Sequence, residues 1–197
     1  MIPGEDSRLA RAMILKQITW LLLLSAVLTC FFGEPTSEAE AQERQTIVPD
    51  AVQVAIERFY PGSTLVVLND LEEGLRQEFA DGYPGRNPAF ISSDFDGNGR
   101  LDYALLLLGK KSGRAIVRLV VLLHAPKGKF KAMSLEEISE FLESVFIRVR
   151  APGKVQEHDS KKIIITRVPG IERSFFEKSA GVFYWDGRRF RFVAAAD

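Results

Sequence analysis

The sequence predicts an α+β domain built on a mainly antiparallel sheet of about seven to eight strands, with two N-terminal helices and one short later helix. Three observations predict it. Apolar residues recur at helical spacing just ahead of residue 80, short apolar runs alternate with turn signals after residue 90, and most of those runs stand close enough to be joined as hairpins.

The first helix opens at Val48-Pro49-Asp50, where Pro suits the first turn, and carries Val52, Ala55, Ile56 and Phe59 on one face until Tyr60-Pro61-Gly62 ends it. A short extended piece at residues 64–68 leads to Asn69 or Asp70 as an N-cap and to a second helix near residues 71–79. Residues 80–88, with two Gly and two Pro, read as a loop. Strands follow at residues 90–92, 103–108, 115–123 and 130–133, with turns at 110–113 and 126–129. The unbroken apolar runs at 105–108 and 120–123 call for cover on both faces of their sheet. Ser134, with Glu137 three residues on, has the form of a capping box and predicts the short later helix over residues 134–141. Strands at 145–149, 161–168, 182–185 and 190–193 complete the sheet, and Asp186-Gly187 turns the last two into a hairpin.

Composition removes several functions. The 197 residues carry 26 Lys+Arg against 26 Asp+Glu, so the chain lacks the basic excess that neutralises phosphates, and no nucleic-acid partner is expected. One Cys and two His exclude a disulfide framework and a thiolate or His-rich zinc site.

Residues 18–32 form an apolar run of fifteen behind Arg8, Arg11 and Lys16 and ahead of a polar, acidic stretch, which is the layout of a signal peptide. The run is shorter than the roughly 20 residues that span a bilayer. Ala39-Glu40-Ala41 supplies a small-x-small cleavage site, so residues 1–41 are read as a signal peptide and 42–197 as a single exported domain. Met13 is an alternative start that sheds Glu5 and Asp6. The domain is expected in the periplasm or secreted, without membrane contact beyond the leader. Acylation of Cys30 to a lipid anchor and retention of the leader are the alternatives; Leu28-Thr29 ahead of Cys30 matches a lipoprotein signal poorly. Three basic and five acidic residues belong to the leader, which leaves 23 basic and 21 acidic residues and a nearly neutral surface.

One stretch carries chemistry: Asp94-Phe95-Asp96-Gly97-Asn98-Gly99-Arg100-Leu101-Asp102. Oxygen-bearing side chains stand at positions 1, 3, 5 and 9, with Gly at 4 and 6. Ca²⁺ wants six to eight oxygens, at about 2.3 to 2.6 Å; alternate residues of a sharply turning loop aim side chains inward, and Gly accepts the backbone angles of the turn. Asp94, Asp96, Asn98 and Asp102 are the expected side-chain ligands and Arg100 the expected carbonyl ligand. The twelfth position, where a helix-loop-helix calcium hand carries a bidentate Glu, is Leu105.

The stretch, followed by the apolar run Tyr103 to Leu108, resembles the calcium loops of FG-GAP repeats and of related repeats in bacterial secreted proteins, with the pattern Asp-x-Asp-Gly-Asn-Gly-x-x-Asp. The resemblance implies a loop between strands that holds Ca²⁺. It covers about sixteen residues, and this chain has a single copy where a propeller needs several, so the adhesion functions of that family do not carry over. With Tyr184-Trp185-Asp186-Gly187 near its C-terminus, the chain is also similar to a group of small bacterial exported proteins that have one such loop and a following YWDG hairpin.

The reading that follows is an exported, calcium-binding, non-enzymatic interaction module that meets a protein or envelope component through its sheet or C-terminal hairpin. Two rivals stand beside it. One is a small extracytoplasmic hydrolase pairing His124 or His158 with a carboxylate, although no G-x-S-x-G elbow places a nucleophile. The other is a structural envelope protein in which Asp and Gly make a metal-free turn. Arg188, Arg189 and Arg191 alternate with Phe190 and Phe192, which predicts arginines in water and phenylalanines toward the core.

Overall fold

A computed structural model describes residues 48–83 and 85–195; the expected leader, Cys30 and the cleavage site lie outside the described residues. The described chain runs through helix α1 (Asp50–Phe59), strand β1 (Thr64–Leu65) and helix α2 (Glu73–Gly82) into ten further strands. These are β2 (Phe90–Ser93), β3 (Asp102–Lys111), β4 (Arg114–Ala125), β5 (Lys129–Ile138), β6 (Val145–Arg150), β7 (Gly153–Gln156), β8 (Ile163–Thr166), β9 (Gly170–Phe175), β10 (Ser179–Trp185) and β11 (Phe190–Ala194).

The first sheet is ordered β1-β3-β4-β5. Strand β2 joins it on the same edge of β3 as β1, pairing with the start of β3 while β1 pairs with its far half. Ser112 and Gly113, both at positive φ, make the two-residue turn between β3 and β4, whose twist suits the strands it joins. Both faces of this sheet are buried. Val52, Ala55 and Ile56 of α1 cover Leu105, Leu107, Val120 and Leu122 on one face. On the other, Ala104, Leu106, Leu119 and Val121 meet Leu75 and Phe79 of α2 and Phe146, Ile147, Ile171 and Phe183 of a second sheet.

That second sheet is ordered β11-β10-β9-β6. Between the sheets, the Arg173 guanidinium on β9 donates to both oxygens of Glu136 on β5, at 3.1 and 3.2 Å, so a buried charge crosses the interface fully paired. The hairpin β7–β8 forms a third, two-stranded sheet whose Val155 packs on Val182 and Val193 of the second.

The expected α+β fold is therefore corrected: the described residues make a mostly antiparallel β structure of eleven strands in three sheets with two α-helices, in place of one sheet of seven to eight strands and three helices. Residues 134–138, expected to open a helix, continue β5. The twelve-residue β4 offers a long edge, and pairing with it supplies partners for the backbone groups of that segment that face β4, which outweighs the local capping pattern of Ser134 and Glu137. A bulge at Leu119/Val120 absorbs the extra residue, Leu135. The sheet divides because β6 leaves the first sheet to pair with β9, and the β7–β8 hairpin fills the interval between them. Strands β7 and β9 answer to no expected element. Phe192, expected to face the core, is 47% exposed and lies over the Arg173 guanidinium at the rim of the sheet. No helix of the described residues is long and apolar enough to cross a membrane.

Candidate metal site

The loop of residues 94–101 joins β2 to β3 as a hairpin, with Asp94 following the last residue of β2 and Asp102 opening β3. Phe95, fully buried in the main core, pins the loop to the body of the domain, so Asp94 and Asp96 on either side of it turn the other way. Gly97 and Gly99 hold φ of +78° and +80°, the region where a side chain is strained, and so permit the tight winding.

Each carboxylate is held by donors. Asp94 accepts the backbone N–H groups of Gly97 and Asn98 on Oδ1, at 2.9 and 3.0 Å, and of Gly99 on Oδ2, at 2.8 Å. Asp96 Oδ1 accepts the Asn98 N–H at 3.1 Å, and Asp96 Oδ2 accepts the Asn98 side-chain amide at 3.0 Å. Asp102 is fully buried; its Oδ2 accepts the Phe95 N–H at 2.9 Å and its Oδ1 the His124 N–H at 2.7 Å. Burial raises the Asp102 pKa above the ordinary carboxylate value; the bonds from His124 and Phe95 pull it down, and the nearby charge of Asp96 raises it further.

Asp94, Asp96 and Asp102 each bring a carboxylate oxygen within 4.8 Å of the other two. Asn98 joins them through its bonds to Asp96 and spans to β4, donating to the His124 carbonyl at 3.3 Å. Arg100 is exposed and is tied in by its N–H, which donates to Asn98 Oδ1 at 2.9 Å. Leu105 is fully buried beneath α1, so the twelfth position contributes no oxygen. The donor set is all oxygen and rich in carboxylate, which suits a hard divalent cation and not a soft one. A cation there would offset the mutual repulsion of three carboxylates.

Two contacts of the loop lie beyond the motif. A Cβ added at Gly97 would meet Val168 Cγ1 at 2.9 Å, so the loop also touches the connection between β8 and β9. The backbone of His124, 22 residues from Asp102, anchors the site from β4, and nothing in the spacing of the motif could have pointed to it. The imidazole of His124 stands apart from this: its Nδ1 lies 3.3 Å from the Leu101 carbonyl, and its ring packs on Phe130 at 5.1 Å. His158 is exposed in the β7–β8 loop, where its N–H donates to Ala194 O. Among the described residues no hydrogen bond joins either imidazole to a carboxylate.

No family model matches this chain, and neither a curated protein nor a solved structure matches it.

Proposed function

We propose that the domain is an exported calcium-binding module without enzymatic activity, in which the β2–β3 loop holds one Ca²⁺ and stiffens an edge of the first sheet for contact with a protein or envelope component. The observation that carries the reading is the convergence of Asp94, Asp96 and Asp102 within 4.8 Å, from opposite ends of a loop whose backbone bonds already close it. Asp102 is the fixed point: it is buried at the start of a core strand, so the two half-buried carboxylates of the loop meet a third that the core holds in place. The single DxDGNGxxD pattern, similar to the FG-GAP calcium loops, supports the same ion. The apolar run at residues 18–32 and the Ala39-Glu40-Ala41 site support export, to a compartment where calcium is abundant.

The test is calorimetric titration of the protein, stripped of divalent ions, with CaCl₂. One site is expected, with a dissociation constant on the order of 10⁻⁴ to 10⁻³ M as in extracellular modules. Asp96→Ala removes a ligand while sparing Asp102 and both glycines, and should abolish the heat. A wild-type titration indistinguishable from dilution leaves the loop as a turn alone.

A further inference from the structure

We infer a second binding site, for the phosphate group of a phosphate monoester, in the cationic cleft between the α2–β2 connection and the outer face of the second sheet. It rests on residues that the calcium loop does not use. Two adjoining clefts of about 520 and 530 Å³ share Arg86, Arg148 and Val149, and each is of a size within the range of small-ligand sites. Arg86 comes from the connection, Arg148 and Arg150 from β6, and Lys154 from β7, so four cations converge from three segments spread over the chain.

One carboxylate answers them. Glu172, buried on β9 directly across from Arg148, takes the Arg148 guanidinium on Oε1 and Arg150 on Oε2, at 3.3 Å for the latter. Arg148 also donates to the Tyr83 hydroxyl at 2.8 Å. The Tyr83 ring has the Arg148 and Arg86 guanidinium carbons 5.7 and 5.8 Å from its centroid, so it spaces two guanidinium groups that would otherwise repel. Arg86 and Lys154 pair with no acidic group among the described residues. The cleft therefore keeps three uncompensated positive charges around fixed guanidinium forks.

That surplus selects the ligand. A carboxylate or a sulfate ester supplies a single negative charge, whereas a phosphate monoester brings about −1.5 to −2 and three acceptor oxygens, matched to several converging donors. Ile91 and Val149 form an apolar wall beside the cations, which places an apolar or aromatic body next to the phosphate.

Titration of the full-length protein with phenyl phosphate, followed by NMR in the presence of a calcium chelator, tests this independently of the metal loop. Saturable binding is expected, with inorganic phosphate weaker and benzoate weaker still. Arg86→Gln and Lys154→Gln should each weaken phenyl phosphate by about tenfold, the worth of one charge-assisted hydrogen bond, with unchanged melting temperature. Sedimentation with phosphatidylcholine vesicles containing phosphatidic acid, and not with phosphatidylcholine alone, would assign the ester to a lipid headgroup; phenyl phosphate binding without sedimentation would assign it to a soluble ester. Failure of the wild type to saturate by about 10 mM phenyl phosphate, or binding by both variants as tight as that of the wild type, overturns the site.

Discussion

Asp102 Oδ1 accepts the backbone N–H of His124 at 2.7 Å, and the other oxygen of the same carboxylate accepts the N–H of Phe95 at 2.9 Å. One buried side chain thus closes the loop onto its own first turn and onto the neighbouring strand. Asp102→Ala leaves both N–H groups without an acceptor, at about 1 to 3 kcal/mol each, offset in part by release of a charge that burial disfavours. A net loss of about 2 kcal/mol is expected in chelator, read as a fall of about 4 to 8 °C in melting temperature. Asp94→Ala should cost less, because its donors sit in an exposed loop where water replaces the carboxylate. Equal melting of the two variants contradicts the anchoring role of Asp102.

Gly97 and Gly99 share nearly the same positive φ but not the same surroundings. Gly99→Ala meets nothing within 4 Å and bears backbone strain alone, at about 1 kcal/mol. Gly97→Ala adds a 2.9 Å encounter with Val168, so it should destabilise more. In a Val168→Ala background the difference between the two should vanish, because the encounter is then gone. A gap that persists there would show that the loop does not bear on the β8–β9 connection.

The loop was legible because its information is local: Asp, Gly and Asn at fixed offsets dictate a turn and its donors within nine residues. The apolar runs of β3 and β4 were legible for a related reason, since Leu105 to Leu107 and Val120 to Leu123 are buried on both faces of the sheet. Strand β9 was hidden by its own chemistry. Glu172, Arg173 and Ser174 are three polar side chains in a row with no apolar alternation to mark a strand, yet all three are buried, the two charges neutralised by Arg148 and Arg150 and by Glu136, whose positions in the chain lie 22 to 37 residues away. The helix expected from Ser134 and Glu137 failed in the opposite sense, a local signal overruled by the distant edge of β4. The cationic cleft had no signature at all, because Arg86 and Lys154 meet only through the fold.

The C-terminal hairpin offers a prediction in pH. Asp186 accepts N–H bonds from Arg188 and Arg189 and the Arg191 guanidinium at 2.7 Å. The Arg191 side chain first, then those backbone bonds, hold its carboxyl down to about 2. A depressed carboxylate contributes stability that is present above its unfolded value of about 3.9 and is lost as pH falls through the folded value. Carbon-detected NMR of the Asp186 carboxyl should therefore give a midpoint near 2 in the wild type and near the ordinary Asp value in Arg191→Gln with the turn disordered by Gly187→Val. A wild-type midpoint near 4 removes the ion pair from the turn.

Export is checked by intact mass. The protein isolated from its native source is expected to begin at Gln42, following cleavage after Ala41. A species retaining Met1 or Met13 contradicts cleavage, and one beginning at an acylated Cys30 replaces secretion with a lipid anchor.

Calcium should raise thermal stability by a predictable amount. An ion that binds only the folded state stabilises it by RT ln(1 + [L]/Kd), which is about 0.4 kcal/mol when the free ion equals Kd and about 1.4 kcal/mol at ten times Kd. At roughly 2 to 4 °C per kcal/mol for a domain of this size, millimolar calcium should lift the melting temperature by about 1 to 6 °C. Magnesium should do less, because it sheds water reluctantly and demands octahedral geometry that a loop with one buried and two half-buried carboxylates does not impose. Asp96→Ala should erase the shift while leaving the melting temperature in chelator nearly unchanged, since its oxygens accept bonds only from exposed Asn98. If the wild type melts at one temperature from chelator up to about 10 mM calcium, the three carboxylates serve the turn and not an ion.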